Sequence, residues 1–119
     1  MNYRGEGIEM KQYVIDQLRD SDFHQIKAFL DETAETASLD GIYWMDLPPE
    51  CYSPMQREHS QCQPFYFAIH LTWNEVAFEF LIRSRQVIRC QCIAYASPQQ
   101  RDHIIHFADS MIEQLELKL

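Results

Sequence analysis

Four cysteines and one histidine are the residues of this chain best suited to hold a metal ion. They are Cys51, His59, Cys62, Cys90 and Cys92. Thiolate and imidazole groups are the ligands that Zn²⁺ prefers in proteins. The spacing does not favour zinc, because structural sites usually present pairs of cysteines with about two to four residues between them, whereas ten residues separate Cys51 from Cys62 and one separates Cys90 from Cys92. We therefore expect no bound metal and keep the five residues as weak candidates, with zinc as the alternative cofactor.

Cysteine chemistry without a metal would need a base close to a thiol. His59 precedes Cys62 by three residues, which allows contact between them on one face of a short helix. The sequence indicates neither an acid to orient His59 nor an oxyanion hole, so we assign no catalytic residue. We expect Cys90 and Cys92 to pack in the core, where a free thiol behaves as a small apolar group.

His103 and His106 form an H-x-x-H pair in the last predicted helix. They stand among Asp102, Asp109 and Glu113, which belong to the polar face of that helix. A solvated helix face is the favoured interpretation, and a weak surface metal site is the alternative.

One face of the predicted β-sheet mixes aromatic, aliphatic, arginine and polar side chains. Its candidate binding residues are Tyr66, His70, Glu79, Leu81, Arg83, Arg89, Gln91 and Ile93. This mixture is typical of protein interfaces, and it predicts a partner-binding or dimer surface. Two alternatives leave the face without a partner: the N-terminal helices cover it in a three-layer domain, or Glu79 and Arg89 form an ordinary cross-strand ion pair. A third alternative is a small-ligand pocket formed by Tyr66, His70, Glu79 and Arg89.

Two helices are predicted before the first strand. Apolar residues at helical spacing predict the first from Ile8 to Leu18. The polar group Asp20-Ser21-Asp22 predicts the cap of the second, which should end before Gly41. We expect residues 1–7 to form a flexible lead-in and residues 8–119 to form a single domain.

Two Ser-Pro-x-Gln segments predict helix starts later in the chain. Each places Ser at the N-cap, Pro at the first helical position and Gln at the third, which is the pattern of a capping box. The segments are Ser53-Pro54-Met55-Gln56 and Ser97-Pro98-Gln99-Gln100. The second opens a long amphipathic helix with Ile104, Ala108, Met111 and Leu115 on its apolar stripe.

Alternating residues between the two caps predict an antiparallel meander, with residues 42–47 as a fourth strand. A turn at Trp73-Asn74 would oppose Leu71 to Val76, Ile69 to Phe78, Phe67 to Phe80 and Phe65 to Ile82. A second turn at Ser84-Arg85-Gln86 would oppose Ile82 to Ile88 and Phe80 to Cys90. In that register an extended Cys62 lies about 17 Å from Cys90, which is a further argument against a shared metal.

Composition limits the function classes. The apolar fraction of 46% and the charged fraction of 24% are those of a globular domain. Three glycines provide no phosphate-binding loop or nucleophile elbow. A net charge of −8 disfavours nucleic acid and acidic membranes. No apolar run of spanning length and no signal-peptide core occur, so we expect a cytoplasmic protein.

Together these patterns predict an α+β fold: two N-terminal helices, a meander of three to four strands, and the C-terminal helix packed on one sheet face. The expected function is a small acidic, non-enzymatic interaction or adaptor domain, homodimeric through the mixed sheet face. Its size, acidity and pattern of elements are similar to those of bacterial secretion chaperones. A metal or thiol site built on Cys90 and Cys92 with Cys62, His59 or Cys51 is the second hypothesis, and the small-ligand pocket is the third.

Overall fold

The computed structural model of the chain describes residues 2–4 and 11–119. The described helices are α1 (Asp20–Thr33), α2 (Pro54–Glu58) and α3 (Pro98–Gln114), with short 3₁₀ turns at Pro49–Cys51 and Ser60–Cys62. The described strands are β1 (Asn2–Arg4), β2 (Gln12–Ile15), β3 (Glu35–Thr36), β4 (Ile42–Asp46), β5 (Phe65–Leu71), β6 (Val76–Glu79), β7 (Leu81–Ser84) and β8 (Ala94–Tyr95). The protein is therefore α+β with an antiparallel sheet and a C-terminal helix.

The sheet follows the order β1-β2-β6-β5-β4-β3, and β7 continues beyond β6 along the same side of β5. Phe80 joins β6 to β7. On the side away from β5, its two backbone groups bond to two different segments of the chain. Its N–H donates to the Lys11 carbonyl at 3.0 Å, and its own carbonyl accepts the Ala96 N–H at 2.7 Å. On that side, β2 therefore lies beside β6, and β8 lies beside β7.

The core lies between one face of the sheet and the two long helices. On the sheet, Phe65, Phe67 and Ile69 have no exposed surface. The buried stripe of α3 is Ile104, Ala108 and Met111, and α1 contributes Ile26 and Leu30. The Phe107 ring of α3 lies 6.2 Å from the rings of Phe67, Phe78 and Phe29. The domain thus has two layers, with α1 and α3 on the same face of the sheet.

Several local predictions are confirmed. Leu71 pairs with Val76 and Ile69 with Phe78 across the first turn. The strand at Ile42–Asp46 pairs with β5. Both Ser-Pro-x-Gln segments form capping boxes at the starts of α2 and α3. The first turn and the capping boxes depend on residues close in sequence, which is why the pattern alone could predict them.

The predicted first helix is wrong in its described part. Residues Gln12–Ile15 form strand β2, which pairs with β6. Tyr13 and Ile15 face the core while Val14 faces the other way, because successive side chains of a strand point to opposite faces of the sheet. The predicted lead-in at residues 1–7 lies outside the described residues except for β1.

The predicted register is also wrong beyond the first turn. Phe65 lies opposite Ser84 instead of Ile82, a shift of two residues that keeps the same side chains in the core. Ile82 lies opposite Ala94 instead of Ile88, so the second connection is a long loop over residues 85–93. The loop needs no strand pairing, because the Ser84 hydroxyl and the Cys90 carbonyl accept backbone N–H groups within it.

Candidate metal centre

His59, Cys62, Cys90 and Cys92 come together beside the loop at residues 85–93. One ligand atom from each of the four residues lies within 4.8 Å of the other three. A tetrahedral zinc ion with bonds of about 2.3 Å to sulfur requires ligand atoms about 3.7 Å apart. The four side chains are therefore close to the spacing of a tetrahedral site.

The first two residues of the cluster are held by a tight turn after α2. Helix α2 ends at Glu58, and the 3₁₀ turn Ser60–Cys62 follows directly. The Cys62 N–H donates to the His59 carbonyl at 2.9 Å. This turn places the imidazole and the thiol close together despite the two residues between them.

The other two residues come from the end of the loop. The Ile93 N–H donates to the Cys90 carbonyl at 3.0 Å, which closes a turn around Cys92. Cys92 is buried and Cys90 is partly exposed. The start of the loop is tied to the first pair, because the buried Ser84 hydroxyl donates to the Cys62 carbonyl.

The two thiols of the loop differ in acidity. His59 Nδ1 lies 3.2 Å from Cys90 Sγ. Hydrogen bonds from the backbone and side chain of Cys92 lower the pKa of the Cys90 thiol. Burial and the bonds to Cys90 and Cys62 raise the pKa of Cys92. The Cys90 thiolate is therefore the easier one to form, and its negative charge opposes ionisation of Cys92.

Two buried glutamines lie next to the cluster. Gln56 and Gln100 occupy the third helical positions of the two capping boxes, and each is 2% exposed. Gln56 Nε2 donates to the Cys92 carbonyl at 3.1 Å. Gln100 Nε2 donates to Gln56 Oε1 and to the Cys51 carbonyl, both at 2.9 Å. The starts of α2 and α3 are thus bonded to each other and to the ligand loop.

The fifth candidate, Cys51, is not part of the group. Its thiol is partly buried, and burial together with the charge of Glu50 raises its pKa. His103 and His106 also remain apart, on α3, and burial lowers the pKa of His103. Among residues 2–4 and 11–119, the cluster of His59 and the three cysteines is the one group with metal-ligand geometry.

The sequence argument against convergence depended on the predicted register. That register placed Cys90 on a strand beside Phe80, far from Cys62, and the structure shows that it is wrong. Cys90 lies in a loop that returns to the end of α2. The signal in the sequence was the combination of H-x-x-C with C-x-C, two short pairs of ligands.

Four of the predicted sheet-face residues do lie together. The side chain of Glu79 is 4% exposed and binds two basic side chains, His70 through Nε2 at 2.8 Å and Arg83 at 3.3 Å. Tyr66 lies opposite Arg83 on the neighbouring strand. The bond to Glu79 raises the pKa of His70. Burial opposes ionisation of Glu79, but its bonds and the charges of His70 and Arg83 outweigh burial and lower its pKa.

The other four predicted residues have different positions. Leu81 is partly buried in β7, opposite Tyr95. Arg89, Gln91 and Ile93 lie in the loop and not on a strand, so the predicted face is smaller than expected. The predicted pair of Glu79 with Arg89 is wrong, because Arg83 occupies that position. Of the two predicted N-terminal helices, the described part of the chain contains the second as α1, which packs on the opposite face of the sheet.

An aromatic and arginine cluster on the same face was missed by the sequence analysis. The rings of Trp44 and Tyr66 stack with centroids 4.5 Å apart. The Arg85 guanidinium lies 5.3 Å and 5.4 Å from the two ring centroids. It also binds Asp46 at 2.6 Å and Glu35 at 2.8 Å. These contacts depend on the pairing of β4 with β5, which the sequence predicts only in outline.

No family model, curated protein or solved structure matches the chain. Among the described helices, none combines the length and the apolar character needed to cross a membrane.

Proposed function

We propose that this chain is a zinc-binding protein in which His59, Cys62, Cys90 and Cys92 hold one ion. The observation that carries the proposal is the convergence of four ligand atoms within 4.8 Å, from two segments distant in sequence. Three thiolates and one imidazole are a ligand set typical of structural zinc.

The donor set favours a structural ion over a catalytic one. Catalytic zinc sites generally combine three protein ligands with one position for water or substrate. Four protein ligands would fill a tetrahedral shell and leave no such position. The soft sulfur ligands also favour zinc over magnesium or calcium, which prefer oxygen.

The ion would attach the loop at residues 85–93 to the segment after α2. This loop contains no strand, and its tip is open to solvent, with Ile88 92% exposed. Metal bonds would supply the order that a sheet supplies elsewhere in the domain. The zinc site would therefore act as a staple for one surface of a non-enzymatic interaction domain.

Zinc content is the direct test. The untagged protein, purified without chelator and supplied with zinc, should carry one ion per chain by native mass spectrometry. Cys92→Ser should lower that stoichiometry strongly, because it removes a buried ligand. Cys51→Ser is the matched control, since Cys51 is a free cysteine outside the cluster and should leave zinc content unchanged.

Cobalt spectroscopy covers the case in which the Cys92 variant does not fold. Wild-type protein titrated with Co²⁺ should give the visible bands of tetrahedral cobalt and strong sulfur-to-metal charge transfer from three thiolates. A wild-type chain that takes up neither ion would contradict the proposal, as would equal zinc loss in the Cys51 and Cys92 variants.

A homodimer through the mixed sheet face is a second proposal. It is supported by the stack of Trp44, Tyr66 and Arg85, because aromatic residues and arginine are enriched in protein interfaces. Leu81→Glu should weaken the dimer, since a charge would be buried without a partner. Sedimentation equilibrium measures the change, and a wild type that remains monomeric at high concentration would refute this proposal.

A further inference from the structure

We propose that Gln56 and Gln100 are positioning residues that set the zinc affinity of the site. The inference rests on the proposed zinc site and concerns side chains that are not themselves ligands. The two amides would hold the segment of Cys92 in place before the ion binds.

Gln56 is fixed by three hydrogen bonds. Its Oε1 accepts the Ser53 N–H at 2.9 Å and the Gln100 side-chain amide at 2.9 Å. Its Nε2 donates to the Cys92 carbonyl at 3.1 Å. A reversed amide would place Nε2 against two donors, so only one orientation satisfies all three partners.

Gln100 extends the chain of hydrogen bonds to α3. Its Oε1 accepts the Ser97 N–H at 3.0 Å, and its Nε2 donates to Gln56 Oε1 and to the Cys51 carbonyl. Both glutamines are almost completely buried, so water does not compete for these bonds. The start of a long, well-packed helix is thereby connected to a metal-binding loop.

Ordering the Cys92 segment in advance should strengthen metal binding. A ligand on an unconstrained loop loses conformational freedom when the ion binds, and that loss weakens the affinity. Polar partners behind metal ligands commonly change affinity by about 10–100-fold when they are replaced. The same range applies here, although the partner holds a ligand's backbone and not its thiol.

Gln100→Glu and Gln56→Glu isolate this role. Glutamate at the third helical position still completes a Ser capping box, so the helix starts are retained. Each change removes the Nε2 donor. The carboxylate oxygen that replaces it then faces the acceptor oxygens to which that Nε2 donated. We expect zinc affinity, measured at pH 8 by competition with a chromophoric chelator, to fall about 10-fold or more. The Co²⁺ spectrum should still show three thiolates, since no ligand has changed.

Asp22→Asn is the control for general destabilisation. Asp22 is 1% exposed and completes the capping box of α1, in which Arg19 is the N-cap residue. This variant should lower the melting temperature while zinc affinity stays within about twofold of wild type. A glutamate at position 56 could take up a proton and donate again. Gln56→Met is therefore a second variant, because it removes all side-chain hydrogen bonds of Gln56.

Coupling between the two glutamines gives an independent measurement. Because Gln100 would act through Gln56, the double variant should lose less affinity than the two single losses predict together. Unchanged affinity in the single variants would overturn this inference and leave the zinc site standing. A wild type that binds no zinc would overturn the proposed function itself, so the two failures are distinguishable.

Discussion

Glu79 shows how the cost of burying one charged side chain is offset by its partners on the sheet face. A carboxylate with 4% of its side chain exposed would be costly without partners, and His70 and Arg83 each bind one of its oxygens. Burial opposes its charge, yet the interactions with His70 and Arg83 hold its pKa below the ordinary value. The same contact raises the pKa of the half-exposed His70, because the hydrogen bond to Glu79 stabilises its charged form.

His70→Gln should change the pH dependence of stability. The pKa of His70 is raised in the folded protein, so its contribution is fully present below the unfolded pKa of about 6.5 and is lost as the pH rises through the folded pKa. Wild type should therefore lose more stability than the variant between about pH 6 and pH 8. Urea unfolding across that range, on zinc-loaded protein, measures the difference.

His106→Gln provides the comparison, because His106 is an exposed histidine on α3. Its pH profile should run parallel to that of wild type. If the His70 and His106 variants gave the same profile, the ion pair with Glu79 would not contribute to stability.

The four residues proposed as zinc ligands show what residue types alone can predict. His59, Cys62, Cys90 and Cys92 are recognisable as candidates from the sequence, because few other side chains bind soft metals. That these four side chains come together in space cannot be predicted from residue type. It depends on where β7 ends and on how the loop at residues 85–93 returns, and the alternation of apolar residues favoured a shorter turn.

At the level of elements, Gly41 determines the turn before β4. Its φ is +83°, and a Cβ at this position would lie 2.6 Å from the Leu71 carbonyl oxygen. The Leu71 N–H donates to the Gly41 carbonyl at 2.7 Å, so the two backbones are fixed close together. Only glycine fits such an approach in this conformation.

Gly41→Ala should lower the free energy of unfolding by about 1–3 kcal/mol, because it adds strain and a backbone clash. Chemical denaturation measures the change. Asp40→Ala, at the neighbouring exposed position, should remain within about 0.5 kcal/mol of wild type. Equal effects of the two substitutions would contradict the argument from close approach.

Local and non-local elements differ in how well the sequence predicts them. The capping boxes at Ser53 and Ser97 need only four consecutive residues, and both form as predicted. Strand β2 was predicted as a helix because Met10, Val14 and Leu18 also fit helical spacing. One of its two partner strands is β6, some sixty residues further along the chain, and no local pattern indicates that pairing.

For the whole molecule, the proposed zinc site would divide stability between a packed core and one edge that is held by metal bonds. The core between the sheet, α1 and α3 contains the largest buried side chains, among them Phe65, Phe67, Phe78 and Phe80. The residues of the proposed zinc site come from segments that connect helices and strands, and two of them, Cys62 and Cys92, lie at the border of the core. Removal of zinc should therefore loosen one edge and leave the core folded.

Hydrogen exchange with and without chelator tests that division. Treatment with a strong chelator should speed exchange of the amides of Cys62 and Ile93, which bond within the two ligand turns. The amides of Ile69 and Leu71 in β5 should keep their protection. Uniform loss of protection would show that the ion supports the whole fold, and no change at the ligand turns would contradict the staple.

The loop that carries Cys90 and Cys92 should tolerate inserted residues at its midpoint. Ser84 holds one end and the ligand turn holds the other, while Ile88 between them is exposed. Added residues at Ile88 would extend outward without shifting the strand register on either side, and a longer loop adds little closure entropy. A peptide tag or a recognition sequence inserted there would be displayed on a rigid base, which makes Ile88 the natural insertion point for engineering this protein.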